Sequence, residues 1–80
     1  MPSKAQLLWD FRGPHAKKTA EHHLFHLREY AASEAITEAS FDLIIHSDLF
    51  VSAAMVVDMP RVNELRAGLK PHRGKQIQVS

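Results

Sequence analysis

The stretch SFDLIIHSDLFVSAAMVV, residues 40–57, decides the fold. Apolar and polar residues alternate on both sides of Ser47-Asp48, which is the pattern of two half-buried strands joined by a turn. A two-residue turn at that point would place Leu43 opposite Ser52, whereas a three- or five-residue loop places apolar residues opposite one another. We therefore predict a hairpin with the odd-numbered loop, in which Phe41, Leu43 and Ile45 lie opposite Met55, Ala53 and Val51.

The segment before the hairpin predicts one strand and one long helix. Residues 5–11 alternate as a strand that ends at Arg12-Gly13-Pro14, where Pro14 suits the first position of a helix. The helix is expected to run to about Ala32, with His23 and Tyr30 beside its core stripe. The strand turns Ala5, Leu7, Trp9 and Phe11 to one side, and the core stripe of the helix consists of Ala16, Ala20, Leu24, Leu27 and Ala31.

The segment after the hairpin predicts a short helix and a last strand. The helix begins at Asp58 and Met59-Pro60, and Gly68 followed by Pro71 ends it. Residues 75–79 alternate as a strand in which Gln76 and Gln78 are expected to face away from the helices. The inward side chains of the short helix are Val62, Leu65 and Leu69.

The resulting order of elements, β-α-β-β-α-β, resembles the ferredoxin-like arrangement. This α+β topology has a four-stranded antiparallel sheet with both helices on one face. Because 80 residues hold a single small apolar core, residues 1–80 are expected to form one ferredoxin-like domain. The topology hosts many unrelated functions, so the resemblance concerns the fold and carries little functional weight.

Composition excludes several classes of site. The chain has no cysteine, which excludes disulfide scaffolds, cysteine-ligated metals and thiol nucleophiles. Its longest apolar run, residues 49–57, is too short to span a membrane, and we expect a cytoplasmic protein. The net charge of +1 conceals a net charge of +2 over residues 1–33, −5 over residues 34–59 and +4 over residues 60–80. Such blocks of opposite sign affect association more than folding.

The face of the sheet that the helices leave uncovered, hereafter the open face, is the predicted contact surface. An apolar centre with a polar rim is typical of such a surface, so we predict a homodimer packed sheet to sheet. The alternative is that an open face simply tolerates a few apolar residues. RNA binding is not favoured, because only one aromatic residue lies there and the hairpin is acidic. The predicted interface consists of Leu8, Ile44, Phe50, Ala54 and Val56, and its rim of Gln6, Asp10, Ser40, Asp42, His46, Ser52, Gln76 and Gln78.

Histidines of the long helix give a candidate metal site. His22 and His26 are four residues apart and can reach one ion, and Glu29 could add an oxygen ligand. Imidazole suits Zn, Ni or Cu. The alternative is that these are half-exposed polar residues on the shoulder of an amphipathic helix. His23 is expected to pack beside the core stripe instead and to donate or accept one hydrogen bond there.

The start of the same helix is basic, although helix N-termini favour acidic side chains. A bound anion would explain this arrangement, and the loop before the last strand supplies further positive charge. The alternatives are a solvated basic rim and the acidic hairpin of a neighbouring subunit. The candidate anion-binding residues are Arg12, Gly13, His15, Lys17, Lys18 and Arg73.

No catalytic motif is present, so we assign no catalytic residue. Ferredoxin-like dimers include cofactor-free enzymes that use a histidine or aspartate base, and the candidates here are His23, His46, Asp10 and Tyr30. The sequence therefore predicts a small homodimeric, non-catalytic domain without a cofactor that binds an anionic ligand or a protein partner. Metal binding and cofactor-free catalysis on a small organic substrate are the alternatives.

Overall fold

The protein is an α+β domain with the predicted order of elements, as seen in a computed structural model that describes residues 3–78. Four strands form one antiparallel sheet in the order β2-β3-β1-β4. Within the described range, neither helix is long and apolar enough to cross a membrane. The elements are β1 (Ser3–Arg12), α1 (Ala16–Ser33), β2 (Ser40–Ser47), β3 (Phe50–Asp58), a 3-10 turn (Met59–Arg61), α2 (Val62–Leu69) and β4 (Arg73–Gln78).

The hairpin has the predicted register, reached by a different route. Phe41, Leu43 and Ile45 pair with Met55, Ala53 and Val51. The connection is a two-residue turn at 48–49, and one extra residue between Ile45 and Ser47 forms a bulge that restores the apolar pairing. The bulge therefore produces the register that the sequence analysis attributes to a longer loop.

The core stripe of α1 is confirmed, since Ala16, Ala20, Leu24, Leu27 and Ala31 are all buried. The predicted start of the helix is wrong by two residues, because α1 begins at Ala16 and Pro14 lies in the preceding turn. Gly13 has a φ of 109°, which favours glycine, and its N–H donates to the carbonyl of Leu49 at 2.8 Å. This bond ties the start of α1 to the hairpin tip.

Both helices bury side chains in one cluster on the same face of the sheet, hereafter the helix face. Leu24 and Leu27 of α1 and Leu65 of α2 share this cluster with apolar residues of β1 and β3. The indole N–H of Trp9 donates to the carbonyl of Leu69 at 3.0 Å, which fixes the C-terminal end of α2 over β1. The strand residues in the cluster are Leu7, Trp9, Ala53, Met55 and Val57.

The end of α2 differs from the prediction. Gly68 lies within the helix, and the left-handed residue that ends it is Lys70, with a φ of 49°. Its N–H donates to the carbonyl of Arg66 at 3.1 Å. Since left-handed backbone is costly for residues other than glycine, the chain places a strained residue at this position.

The predicted facing of the last strand is wrong. In β4, Gln76 pairs with Ala5 and Gln78 with Ser3, so both register positions belong to the helix face rather than the open face. Ile77 pairs with Lys4 and lies on the open face. The short α2 covers little of the outer strand β4, so the helix face of β4 does not require apolar side chains. The prediction that the apolar residues of this strand face the helices therefore has no physical basis. Val79, the predicted last residue of the strand, lies outside the described residues.

Candidate functional site

Four side chains on the open face form a hydrogen-bonded row, hereafter the polar chain, that crosses all four strands. Arg73 of β4 donates to both carboxylate oxygens of Asp10 on β1, from Nε at 2.8 Å and from Nη2 at 3.0 Å. Ser52 Oγ of β3 donates to Asp10 Oδ1 at 2.6 Å. His46 Nε2 of β2 lies 3.0 Å from Ser52 Oγ. Each charged group or hydroxyl in this row therefore has a hydrogen-bond partner within the same protein molecule.

The direction of these hydrogen bonds determines what the polar chain can do. A hydroxyl has one proton, and Ser52 gives it to Asp10, so His46 Nε2 must donate to Ser52 Oγ. A nucleophilic serine needs the reverse, with the histidine accepting its proton. Ser52 is also fully buried, at 0% exposure. The polar chain is thus arranged to hold the strands together rather than to attack a substrate.

Asp10 is held in its ionised form. Hydrogen bonding from Arg73 keeps the pKa of Asp10 below its usual value; burial opposes this effect, and the hydroxyl of Ser52 adds to it. The carboxylate side chain is 16% exposed. Because a general base works best with a pKa near the working pH, Asp10 is poorly suited to that role.

Phe50 is enclosed by two neighbours. His46 stacks on its ring, with the centroids 4.2 Å apart, and the Arg12 guanidinium lies 4.0 Å from the ring centroid. Since β1 and β2 flank β3 on opposite sides, these contacts cover opposite faces of the ring. Phe50 therefore presents its edge rather than a ring face on which a base could stack.

The five predicted interface residues differ in how much surface they offer. Leu8 and Ala54 are already buried, at 4% and 1% exposure, by the side chains around them. Ile44, Phe50 and Val56 are half-buried. Ile77 of β4 is also half-buried on this face, and the sequence analysis does not include it because it predicts the wrong facing for that strand. The apolar surface available for contact is therefore divided between Ile44 and Phe50 at one end of the open face and Val56 and Ile77 at the other, with the buried Leu8 and Ala54 between them. Within the described strands, the predicted apolar centre with a polar rim is not found.

The six candidate anion-binding residues are not brought together as one site. Arg12 is committed to Phe50 and Arg73 to Asp10, both on the open face. The N–H of Gly13 is committed to Leu49. His15, Lys17 and Lys18 remain exposed at the start of α1, which has no side-chain cap and no acidic residue in its first turn.

The histidines of α1 are brought together in part. The Nε2 atoms of His22 and His26 lie 2.9 Å apart, and Glu29 Oε1 lies 3.3 Å from the other ring nitrogen of His26. Glu29 is thus placed to orient His26 and not to bind the same ion. Among residues 3–78, no group of three or more potential metal ligands converges.

His23 packs beside the core stripe as predicted, but the hydrogen bond expected for its ring is not found at Nε2 among the described residues. Its ring lies between those of Trp9 and Phe11, at centroid distances of 5.1 and 5.5 Å, and its buried Nε2 has no hydrogen-bond partner in the described part of the chain. Burial lowers the pKa of His23, and the positive charges that His26, His72 and His22 can acquire add to this effect. His23 is therefore neutral at neutral pH.

Two grooves open on the helix face. One, of about 200 Å³, lies between α2 and β4, with Leu7, Val62, Met59 and Gly74 among its lining and Arg66 at its side. The other, of about 370 Å³, lies between α1 and β2 and is lined by Glu21, Leu24, Arg28, Phe41, Asp42 and Leu43.

The four candidate bases do not converge on either groove. Asp10 and His46 belong to the polar chain, and His23 is enclosed between two rings. The hydroxyl of Tyr30 lies near Gly68 of α2.

Comparisons with family models, curated proteins and solved structures find no match. The functional conclusion therefore rests on the geometry of the open face and the two grooves.

Proposed function

We propose that this chain is a non-catalytic binding domain that associates as a homodimer through its open face. The observation that carries the proposal is the polar chain, in which Asp10, Arg73 and Ser52 satisfy one another within a single copy. A second copy can therefore cover Asp10 and Ser52 at the centre of the face without leaving their polar atoms unpaired, and an unpaired buried polar group is the main cost of burying such a surface. The half-buried Ile44 and Val56 supply the apolar contact.

The ferredoxin-like arrangement is part of this proposal. The element order, the strand order β2-β3-β1-β4 and the antiparallel pairing of neighbouring strands all support it. So does the cluster that buries residues of both helices on one face of the sheet. Cytoplasmic location is likewise proposed, and the cysteine-free sequence fits it.

Charge on the open face favours a second copy as the occupant. Asp42 of β2 lies at one edge of the face, and Arg73 and Lys75 of β4 lie at the other; the first two are in the same row across the sheet. A two-fold axis parallel to the strands places β2 of one copy over β4 of the other. In that arrangement the acidic edge of each copy meets the basic edge of its partner.

The size of the face predicts weak association. Four strands about 4.8 Å apart, with six to ten residues each, give a footprint of roughly 19 by 27 Å at their mean length. Side-chain relief raises the accessible area, yet the interface stays below the roughly 800 Å² per partner of a standard complex. We therefore expect a concentration-dependent dimer in the micromolar range.

Sedimentation velocity between 1 and 300 µM tests this proposal. The wild type should shift from a 9 kDa species toward twice that mass, and Val56→Glu should remain monomeric. Phe25→Glu is the matched control, because Phe25 is 56% exposed on α1, away from the sheet, and its substitution should leave dimerisation unchanged. Asp42→Lys and Lys75→Glu should each weaken the dimer, and their combination should restore it. A single 9 kDa species of the wild type throughout this range would overturn the proposal.

A second candidate function, which one contact favours, is transition-metal binding by α1. The Nε2 atoms of His22 and His26 are 2.9 Å apart, a hydrogen-bond distance, and a separation of about 3.3 Å would suit two imidazole ligands around one tetrahedral ion, so a small side-chain movement would admit the ion. Glu29 would hold His26 in the required tautomer from outside the coordination shell. Solvent would fill the other positions, so we expect weak binding.

Calorimetry with Zn²⁺, Ni²⁺ and Cu²⁺ tests this second candidate. His22→Gln and His26→Gln should each abolish binding, and Glu29→Gln should weaken it about tenfold. His15→Gln is the control, because His15 lies at the start of the same helix. Unchanged affinity in the first two variants would show that the metal binds elsewhere.

A further inference from the structure

We propose that the groove between α2 and β4 binds a small apolar carboxylate, with Arg66 as the anchor of its carboxylate group. The groove measures about 200 Å³; its walls include Leu7, Met59 and Val62, and Arg66, Lys75 and Gln76 supply its polar side. Apolar walls with a few placed polar groups are the usual composition of a small-molecule site.

The groove exists because the outer strand presents little side-chain volume to α2. Gly74 pairs with Leu7, so its missing side chain would have pointed into the space below the helix. A Cβ there would meet Leu7 Cδ2 at 3.6 Å, an ordinary contact, and the position has room that the sequence leaves empty. With only eight residues, α2 does not cover the gap.

Arg66 is distinguished from the other arginines by having no partner. Between residues 3 and 78 it contacts neither a carboxylate within salt-bridge distance nor an aromatic ring. The remaining four arginines each have one: Arg12 with Phe50, Arg28 with Phe41, Arg61 with Glu38 and Arg73 with Asp10. Arg66 is exposed at the groove, where its guanidinium is available to a ligand.

These features select the chemical class of the ligand. A guanidinium binds a carboxylate through two parallel hydrogen bonds, and Val62 and Met59 offer apolar walls to the rest of the molecule. The volume lies below the roughly 300 Å³ at which drug-sized sites begin, which limits the body to a short aliphatic chain or one aromatic ring. A nucleotide or a bare phosphate would leave the apolar walls unused.

This site is independent of the proposed dimer. The groove opens on the helix face, whereas the proposed dimer uses the opposite face of the sheet. A monomeric chain could therefore bind the carboxylate, and failure of one proposal does not imply failure of the other.

A titration of the ¹⁵N-labelled chain, followed by backbone amide shifts, tests the proposal. Benzoate and hexanoate should perturb residues 59–66 and 74–76 and saturate at about 1 mM. Benzyl alcohol, which lacks the charge, and acetate, which lacks the apolar body, should bind at least tenfold more weakly. Arg66→Gln should weaken benzoate binding about tenfold or more by removing the charged hydrogen bonds.

Two further variants separate the groove from other sites. Gly74→Val places a side chain in the groove without disturbing β4 and should abolish binding. Lys17→Gln removes a charge at the start of α1 and should leave binding unchanged. Absence of shifts up to 20 mM benzoate, equal affinity in Arg66→Gln, or perturbations that move to residues 15–19 would each overturn the proposal.

Discussion

Removing the carboxylate at the centre of the polar chain should cost this small domain a large part of its stability. In Asp10→Ala the fully buried hydroxyl of Ser52 loses its charged acceptor and can donate only to His46 Nε2, which must then change tautomer; loss of a hydrogen bond to a charged group costs about 1.5–3 kcal/mol. The bond to Arg73 adds little, because the Arg73 side chain is 51% exposed and solvent screens the pair. The expected loss is therefore about 1.5–3 kcal/mol, most of it from the bond between Ser52 and Asp10.

The conservative variant separates the two contributions. Asp10→Asn keeps an acceptor for Ser52, but it removes the charge and replaces Oδ2, the acceptor of the Arg73 Nε–H, with an amide donor, so it should lose about 1 kcal/mol. Asp42→Asn is the control, since the exposed Asp42 side chain bonds only the adjacent Leu43 N–H. Urea unfolding at pH 7 measures all three differences. Equal losses in Asp10→Asn and Asp10→Ala, or a loss below 0.5 kcal/mol in Asp10→Ala, would refute the hydrogen-bond assignment.

The same variants should also differ in how their unfolding free energy depends on pH in the acidic range. The pKa of Asp10 is lower in the folded chain than in the unfolded chain, chiefly because of Arg73. Its stabilising contribution is therefore present above the unfolded pKa of about 3.9 and is lost as the pH falls through the lower, folded value. The difference in unfolding free energy between the wild type and Asp10→Asn should shrink over that range.

Three further substitutions test the packing and the backbone. The pKa of His23 is lowered by burial, so its contribution to stability is present above about pH 6.5 and falls as the pH drops through the folded pKa. His23→Phe should therefore remove the part of the loss in unfolding free energy between pH 7 and pH 5 that protonation of His23 causes. An unchanged pH profile in this variant would contradict the burial of His23. Lys70→Gly should raise the thermal midpoint, gaining about 0.5–1 kcal/mol at the left-handed position, where a loss would argue against it. Leu65→Ala, which removes the fully buried anchor of α2, should cost about 2–5 kcal/mol in urea unfolding, and a cost under 1 kcal/mol would mean that α2 is not docked.

The parts of the fold that sequence could predict are those with strong periodicity. Leu24 and Leu27 follow the helical period, and Phe41 and Leu43 follow the strand period, so burial of one face determined both patterns. The hairpin register followed from the same demand, although parity alone could not distinguish a longer loop from a bulge at His46.

The facing of β4 could not be predicted for a physical reason. Gln76 and Ile77 lie on an outer strand over which α2 provides little cover, so neither face imposes a clear apolar requirement. Periodicity therefore could not determine whether Ile77 or its neighbours Gln76 and Gln78 face the helices. Gly74 gave a signal that could have been used, because a residue without a side chain inside a strand often marks a gap or a close approach.

The sequence could predict which residues lie on the open face, but not which of them contact one another. Asp10 and Arg73 are separated by 63 positions, and their contact depends on the register of β4 against β1. The position of His46 over Ser52 and Phe50 depends on the bulge. Long-range pairs of this kind follow from register, and register errors of one residue exchange the two faces of a sheet.

Contacts between copies are most directly measured by nuclear Overhauser effects in a mixture of ¹³C-labelled and unlabelled chains at several hundred micromolar. The proposed dimer predicts intermolecular signals to the methyl groups of Ile44, Val56 and Ile77, and none to the ring of Phe25 on α1. Intermolecular signals that arise from α1 or from the hairpin tip at Leu49, with none from those three methyl-bearing residues, would contradict it.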